Sequence, residues 1–144
     1  MKEDASIEVL NRLLATLHRS LPMYLSDATP WTHPGDERAT QTLARIVEDQ
    51  RRDINRLAEL IFQRSGRIET GHWPMEYTDL NFLSLDYLLR EMVRYQQELI
   101  AQIERCAALL SNDRQARELS EEILGSEKAH LEALEELTRE PVSR

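Results

Sequence analysis

The sequence predicts an all-α protein that folds as an up-down four-helix bundle with a long crossover between the second and third helices. Four long runs of the chain repeat apolar residues at intervals of three and four, which is the period of an amphipathic helix. Only 4 glycines and 5 prolines occur in 144 residues, so few positions interrupt these runs. The connections between the runs are short, long and short, and a long second connection lets the third helix run parallel to the second. We expect residues 1–144 to form one domain.

The first predicted helix, helix A, covers residues 6–25. Its apolar stripe consists of Leu10, Leu14, Leu17, Leu21 and Tyr24. Pro22 lies inside this stripe, and proline lacks the N–H that an interior helical position donates. We therefore expect helix A to kink or end near Ser20.

Predicted helix B runs from Asp36, its expected N-cap, to about Ser65, and Gly66 is the expected stop. Its apolar stripe consists of Leu43, Val47, Ile54, Leu57 and Ile61. Gln50 stands where the period requires a further apolar residue, and Arg51 follows it. A polar break in an apolar stripe is where a buried polar site belongs.

Residues 66–83 show no helical period and form the predicted crossover. Predicted helix C begins after Ser84 as N-cap and ends near Leu110, and its core face includes Met92, Leu99 and Cys106. A short turn follows, and Asp113 is the expected N-cap of helix D. The inward residues of helix D are Leu119, Ile123, His130, Leu134 and Leu137.

The composition of the chain limits the classes of partner and the cellular compartment that we expect. The formal net charge is −8, which argues against nucleic acid and anionic membranes as partners. The chain has no long apolar run that would span a membrane and no basic segment followed by an apolar one at its start. Its single cysteine, Cys106, excludes an internal disulfide and is interpreted as an inert buried thiol. We expect a cytoplasmic protein.

Glu127 and His130 form the most informative motif. Residues three apart on a helix lie one turn from each other on the same face. Carboxylate and imidazole are common ligands of iron and other divalent metals. In some four-helix bundles, two Glu-x-x-His turns and a Glu from each remaining helix hold a di-iron or di-manganese centre.

Helix D resembles the fourth helix of bacterioferritins and rubrerythrins. The similarity is carried by Glu122-Ile123-Leu124, Glu127-x-x-His130, Leu131-Glu132 and Leu134. The segment Leu10-Asn11-x-Leu13-Leu14, together with Tyr24, resembles the start of a bacterioferritin chain. The resemblance implies membership of the ferritin-like superfamily and a bundle built around a di-iron centre.

Matching the helices to the family without gaps shows that the implied metal centre is degenerate. The six ligand positions fall on Leu17, Glu48, Arg51, Gln96, Glu127 and His130. Only Glu48, Glu127 and His130 can ligate metal, and Arg51 would repel a dication. The family's haem-binding methionine falls on Asp49, so the sequence does not support haem.

Three functions stay open. In the first, the di-iron centre is lost, no cofactor binds, and Arg51 replaces the metals in a buried polar cluster with Gln50 and Gln96. Such a protein would be a non-catalytic interaction or structural module. In the alternative, iron or another divalent metal binds an incomplete site at Glu48, Glu127 and His130, in an oxidoreductase or an iron-handling protein. In the third, a ligand occupies the space that the metals vacated.

The orientation of Arg51 separates the first two functions. An inward Arg51 favours the lost centre, and an outward Arg51 with His18 turned inward favours metal binding. Glu98 is a second substitute ligand if helix C is offset. An apolar cavity near Leu17 and Met92 would favour the ligand-binding bundle.

The expected partner is a second copy of the chain, in a homodimer or a larger homo-oligomer. Ferritin-like bundles usually pair along helices A and B. Trp31 and Trp73, which lie in the two long connections, would suit such a contact.

Overall fold

The computed structural model describes residues 2–27, 37–70 and 85–139. Within these ranges the chain forms five α-helices and no strand. The helices are α1 (Lys2–His18), α2 (Leu21–Asp27), α3 (Glu37–Gln63), α4 (Leu85–Leu109) and α5 (Arg114–Arg139). Helices α1 and α2 correspond to predicted helix A, and α3 to α5 correspond to predicted helices B to D. The all-α prediction is confirmed. The predicted caps Asp36 and Ser84 and the tryptophans Trp31 and Trp73 lie outside the described residues.

The break between α1 and α2 falls where Pro22 predicts it. The Ser20 N–H bonds to the Leu17 carbonyl at 3.1 Å, so the last turn of α1 tightens and the helix ends. Ser20 then caps α2, because its Oγ accepts a hydrogen bond from the Met23 N–H at 3.3 Å. Pro22 occupies the first turn of α2, where a missing N–H costs nothing.

Helix α3 is followed by one left-handed residue, Ser65, and then by Gly66. Ser65 has φ of 61°, and the Gly66 N–H bonds back to the Ile61 carbonyl at 2.9 Å, as in a Schellman motif. Gly66 is required for close packing, since a Cβ there would lie 2.8 Å from Cγ2 of Ile7 and 2.9 Å from Cγ2 of Ile61. The predicted stop is therefore confirmed, with the left-handed residue one position earlier.

The turn between α4 and α5 is held by Asp113. Its Oδ1 accepts a hydrogen bond from the Ala116 N–H at 3.2 Å, so Asp113 is the N-cap of α5, as predicted. Both guanidinium NH₂ groups of Arg64 also bond to its carboxylate. The Arg64 hydrogen bonds are the main reason that the pKa of Asp113 lies well below its usual value.

We expect Asp113→Ala to lower the free energy of unfolding by about 2 to 4 kcal/mol. The substitution removes an N-cap and leaves Arg64, only 14% exposed, without its carboxylate. Urea unfolding at neutral pH measures the loss. Because the folded pKa is depressed, the contribution of Asp113 is complete above pH 3.8, the ordinary pKa of an aspartate, and disappears as the pH falls further. Glu118→Ala, which breaks an exposed pair with Arg114, is the control and should change stability by less than about 0.5 kcal/mol.

The core consists of two apolar clusters at opposite ends of the bundle. The first cluster joins most of α1 to the second halves of α3 and α4 and the first half of α5. The second joins α2 to the first halves of α3 and α4 and the second half of α5. Helix α4 therefore runs in the same direction as α3, which is the arrangement that the long crossover predicts. None of the helices described here is long and apolar enough to cross a membrane.

Candidate functional site

A layer of polar side chains separates the two apolar clusters. Helices α3, α4 and α5 contribute to it at the same height, between residues of the first cluster and residues of the second, and Ser20 contributes from the break between α1 and α2. In α5, for example, the polar residues lie between Ile123 and Leu134. The buried members of the layer are Ser20, Gln50, Asp53, Gln96, Glu127 and His130.

Glu127 is the centre of this layer and is fully buried, with 0% exposure. Its Oε1 accepts hydrogen bonds from Nε2 of Gln50 and from Nε2 of Gln96, both at 2.9 Å. The Gln96 amide also donates to the Glu127 backbone carbonyl at 3.0 Å. A carboxylate accepts but does not donate, so both amides must present their NH₂ groups to it.

Ser20 continues this chain of hydrogen bonds to the helix break. The Ser20 hydroxyl donates to Oε1 of Gln50 at 2.8 Å. The Ser20 Oγ also accepts the hydrogen bond that caps α2. The direction of donation runs from Ser20 through Gln50 to Glu127. One residue from the break between α1 and α2 therefore links the local backbone to the centre of the bundle.

His130 lies between two carboxylates. Its Nε2 is 2.9 Å from Oδ2 of Asp49, and its Nδ1 is 3.2 Å from Oε2 of Glu127. Burial by itself would lower the pKa of His130, but the carboxylates of Glu127 and Asp49 outweigh that effect and raise it. This arrangement favours an imidazolium ion in the polar layer.

Asp53 is a second buried carboxyl group on α3. Burial raises its pKa, and the nearby Arg52 and Arg56 only partly oppose that shift. Arg56 approaches Oδ1 of Asp53 at 3.6 Å and also binds Glu122 on the surface of α5. Arg56 therefore spans from the polar layer to the outside of the bundle.

The structure brings together four residues that the sequence singles out and excludes two others. Gln50, Gln96, Glu127 and His130 are buried in one network. Glu48 and Arg51 are exposed on α3. The prediction that Arg51 enters the buried cluster is therefore wrong. Glu48 lies on the exposed face of α3, away from Glu127 and His130. Adjacent residues on a helix point in different directions, so Arg51 does not share the inward direction of Gln50.

On α1 and α3 the matching without gaps does not select the residues that face the polar layer. Leu17 belongs to the first apolar cluster, and Ser20, in the break after α1, faces the polar layer. On α3 the inward polar pair is Gln50 and Asp53, three apart. Asp49, Asp53 and Ser20 are the members that the sequence did not identify. The polar break at Gln50 was the available signal, because Asp53 lies one turn beyond it on the same face.

The substitute ligands and the apolar cavity find little support. His18 is half-buried at the end of α1, and Glu98 is exposed on α4, where it pairs with Arg94 at 3.3 Å. Leu17 and Met92 belong to different apolar clusters on opposite sides of the polar layer.

We expect the stability of the protein to fall as the pH rises above neutrality, because of His130. A histidine with a raised folded pKa contributes its full stabilisation below pH 6.5, the ordinary pKa of an imidazole side chain, and loses it as the pH rises through the folded value. Urea unfolding in a series of buffers from mildly acidic to mildly alkaline measures this slope. His130→Gln should flatten it, whereas His18→Gln should not. An unchanged slope in His130→Gln would contradict the assignment.

A dinuclear metal centre does not fit these residues. Of the six buried members of the polar layer, one is a serine and two are neutral amides, so only Asp53, Glu127 and His130 are good metal ligands, too few for a dinuclear centre. Within the described part of the chain, no group of three or more His, Cys, Asp or Glu residues is arranged to hold a metal ion. Three buried atoms of the polar layer nevertheless make no hydrogen bond of good geometry to the described residues. They are Oδ2 of Asp53, and Oε2 of Glu127 and Nδ1 of His130, which lie 3.2 Å from each other.

Comparison with known proteins identifies the family to which the chain belongs. A family model described as a ferritin-like domain matches residues 7–141. No curated protein and no solved structure matches the chain. The family match covers α2 to α5 and all but the first turn of α1, and thus includes every member of the polar layer. The chain belongs to the ferritin-like domain family.

Proposed function

We propose that this protein is a ferritin-like bundle in which a buried hydrogen-bond network replaces the di-iron centre. It would act as a non-catalytic structural or interaction module, with no metal cofactor. The observation that carries the proposal is the pair of amide hydrogen bonds from Gln50 and Gln96 to Glu127, both 2.9 Å long. The two amides come from different helices and converge on one carboxylate oxygen.

Two neutral amides and the adjacent His130 ring account for the charge of Glu127 without a metal. A buried carboxylate is costly unless hydrogen bonds or a positive charge compensate it. Here two NH₂ groups bond to Oε1, and the His130 ring lies beside Oε2. An amide that turns its NH₂ group inward presents hydrogen atoms, and these do not ligate a cation.

Metal analysis tests this proposal. The protein is produced in iron-supplemented medium, and bound Fe, Mn and Zn are measured per chain after gel filtration. We expect well under one metal per chain. Two metals per chain would overturn the proposal.

A single-metal protein is the second candidate function. The observation that favours it is that Oδ2 of Asp53, Oε2 of Glu127 and Nδ1 of His130 make no well-formed hydrogen bond. These three described residues would have to rearrange to bind a metal, since they do not form a metal-binding group as they lie. Asp49 would hold the His130 ring through Nε2, which leaves Nδ1 as the ligating atom, a common outer-shell arrangement. In this candidate Asp53 replaces the predicted ligand Glu48, and the bound ion would be iron or another divalent metal. One metal per chain that Asp53→Asn abolishes would support it against the first proposal.

We also propose that the partner is a second copy of the chain. Phe62 on α3 is 77% exposed, and Ile68, six residues later, is 44% exposed. Aromatic side chains such as Phe62 are enriched at protein–protein interfaces. Sedimentation velocity should give a dimer or larger assembly, and Phe62→Ser should weaken it. A monomer at all concentrations would contradict self-association.

A further inference from the structure

We infer that a groove on the outer face of α1 binds a small polyanion, a molecule that carries two or more phosphate or carboxylate groups. The groove has a volume of about 530 Å³, which is within the range of small-molecule sites. Its charged lining residues are Arg12, Arg19, Arg67, Glu8 and Glu69, and Asn11 forms part of its floor. We refer to this feature as the arginine groove.

The fold fixes one wall of the arginine groove firmly against α1. The Asn11 side-chain amide donates to the Arg67 carbonyl at 2.7 Å, and its oxygen accepts from the Glu69 N–H at 2.8 Å. Asn11 therefore ties residues 67–69 to α1 by two hydrogen bonds. Gly66 also lies close to Ile7, and this contact holds residues 67–69 near α1. The backbone of Arg67 is thus held beside α1 before any ligand arrives.

Two of the three arginines lack a carboxylate partner among the described residues. Arg19 donates its Nε to the Ala15 carbonyl at 3.2 Å, which orients the guanidinium and leaves its two NH₂ groups available. Neither Arg19 nor Arg67 is in an ion pair with any residue that the structure describes. Arg12 approaches Glu8 only at 3.7 Å, and both side chains are largely exposed.

The chain as a whole is acidic, with a net charge of −8. Elsewhere in the bundle, Arg52, Arg56, Arg64 and Arg94 each pair with at least one carboxylate. The arginine groove holds three guanidinium groups against two carboxylates, so it is locally positive on an acidic protein. A locally positive concavity attracts anions.

The chemistry of guanidinium selects oxyanions. Its planar fork matches the two oxygens of a carboxylate or a phosphate. Arg12 and Arg19 are seven residues apart, so their backbones are separated by about 10 Å along the helix. The arginine groove offers three guanidinium groups, so a molecule with several anionic groups can engage more of them at once than a single small anion can.

Isothermal titration calorimetry at low ionic strength tests the inference with tripolyphosphate and citrate as probes. Both probes should bind saturably to the wild-type protein, and inorganic phosphate should bind more weakly. Arg19→Gln combined with Arg67→Gln should reduce the affinity for tripolyphosphate by about tenfold or more. The matched control is Arg45→Gln with Arg90→Gln, which removes two exposed arginines elsewhere and should leave the affinity within about twofold.

Three results would overturn the inference. The first is the absence of saturable binding for both probes. The second is an equal loss of affinity in the control variant, which would mean that only the net charge matters. The third is binding of an acidic peptide, such as oligoglutamate, without binding of either probe, which would assign the arginine groove to a protein partner. The inference does not depend on the polar layer, so metal content has no bearing on it.

Discussion

Glu127→Ala is expected to lower the free energy of unfolding by about 3 to 5 kcal/mol. The substitution leaves the NH₂ groups of Gln50 and Gln96 without their shared acceptor and removes the carboxylate beside His130. Buried donors that lose their acceptor cost about 1 to 3 kcal/mol each, and the truncated side chain leaves a cavity. Urea unfolding at neutral pH, monitored by circular dichroism, measures the loss.

Two further variants locate the origin of that effect. Glu132→Ala removes an exposed carboxylate from the same helix and should change stability by less than about 0.5 kcal/mol. Glu127→Gln keeps the volume of the side chain and one acceptor oxygen, so it should cost less than Glu127→Ala. A loss below about 1 kcal/mol for Glu127→Ala would show that the network around Glu127 does not hold the four helices together.

The second large effect is expected when carboxylate and imidazole ligands are introduced into the polar layer. The triple variant Gln50→Glu, Asp53→His and Gln96→Glu places three carboxylates and two imidazoles in the polar layer. Without metal, buried carboxylates repel one another and take up protons, so we expect a loss of several kcal/mol. With saturating Mn²⁺, binding to the folded state alone should restore about 3 kcal/mol or more.

Urea unfolding in the presence of EDTA and of Mn²⁺ measures both halves of this prediction. The control is Gln97→Glu with Gln102→Glu, which adds the same two carboxylates at exposed positions of α4. It should show neither the destabilisation nor the response to Mn²⁺. If the triple variant were as stable as the wild-type protein in EDTA, the burial of Gln50 and Gln96 would not penalise carboxylates at these positions as we expect.

Helical periodicity was sufficient to predict the architecture. The bounds of α3, α4 and α5 follow from their apolar stripes and from local signals at their ends, such as the N-cap Asp113 and the stop at Ser65 and Gly66. Pro22 predicted that the first helix would be interrupted. These features depend on residues close in sequence, whose preferences are readable without knowledge of tertiary contacts.

The composition of the polar layer was only partly predictable, since it depends on the rotation of each helix about its axis. On α5 the spacing of Glu127 and His130 fixed the inward face correctly. On α3 the ungapped matching of ligand positions selected residues two positions before the buried pair. Two residues correspond to a rotation of about 200° about the helix axis, which selects the opposite side of the helix. Glu48 and Arg51 were therefore chosen in place of Gln50 and Asp53.

The apolar stripe of α3 was a better guide to its inward residues than the ungapped matching of ligand positions. Gln50 interrupts a series of residues that face the core, and the structure buries it fully. Asp53 was harder to predict, because a carboxylate inside a stripe more often belongs to its boundary. Its burial depends on Arg56 and on the neighbouring residues of α5, which no local pattern specifies.

The most direct test of the central claim is the behaviour of the Gln50 and Gln96 side-chain amides in solution. Their ¹H–¹⁵N signals can be assigned by comparison with the two single Gln→Glu variants. If both NH₂ groups donate to Glu127, their protons should exchange slowly with solvent, and one equivalent of paramagnetic Mn²⁺ should leave their signals sharp. Rapid exchange in the metal-free protein, or stoichiometric broadening of both signals by Mn²⁺, would contradict the claim that hydrogen bonds occupy the place of the metal centre.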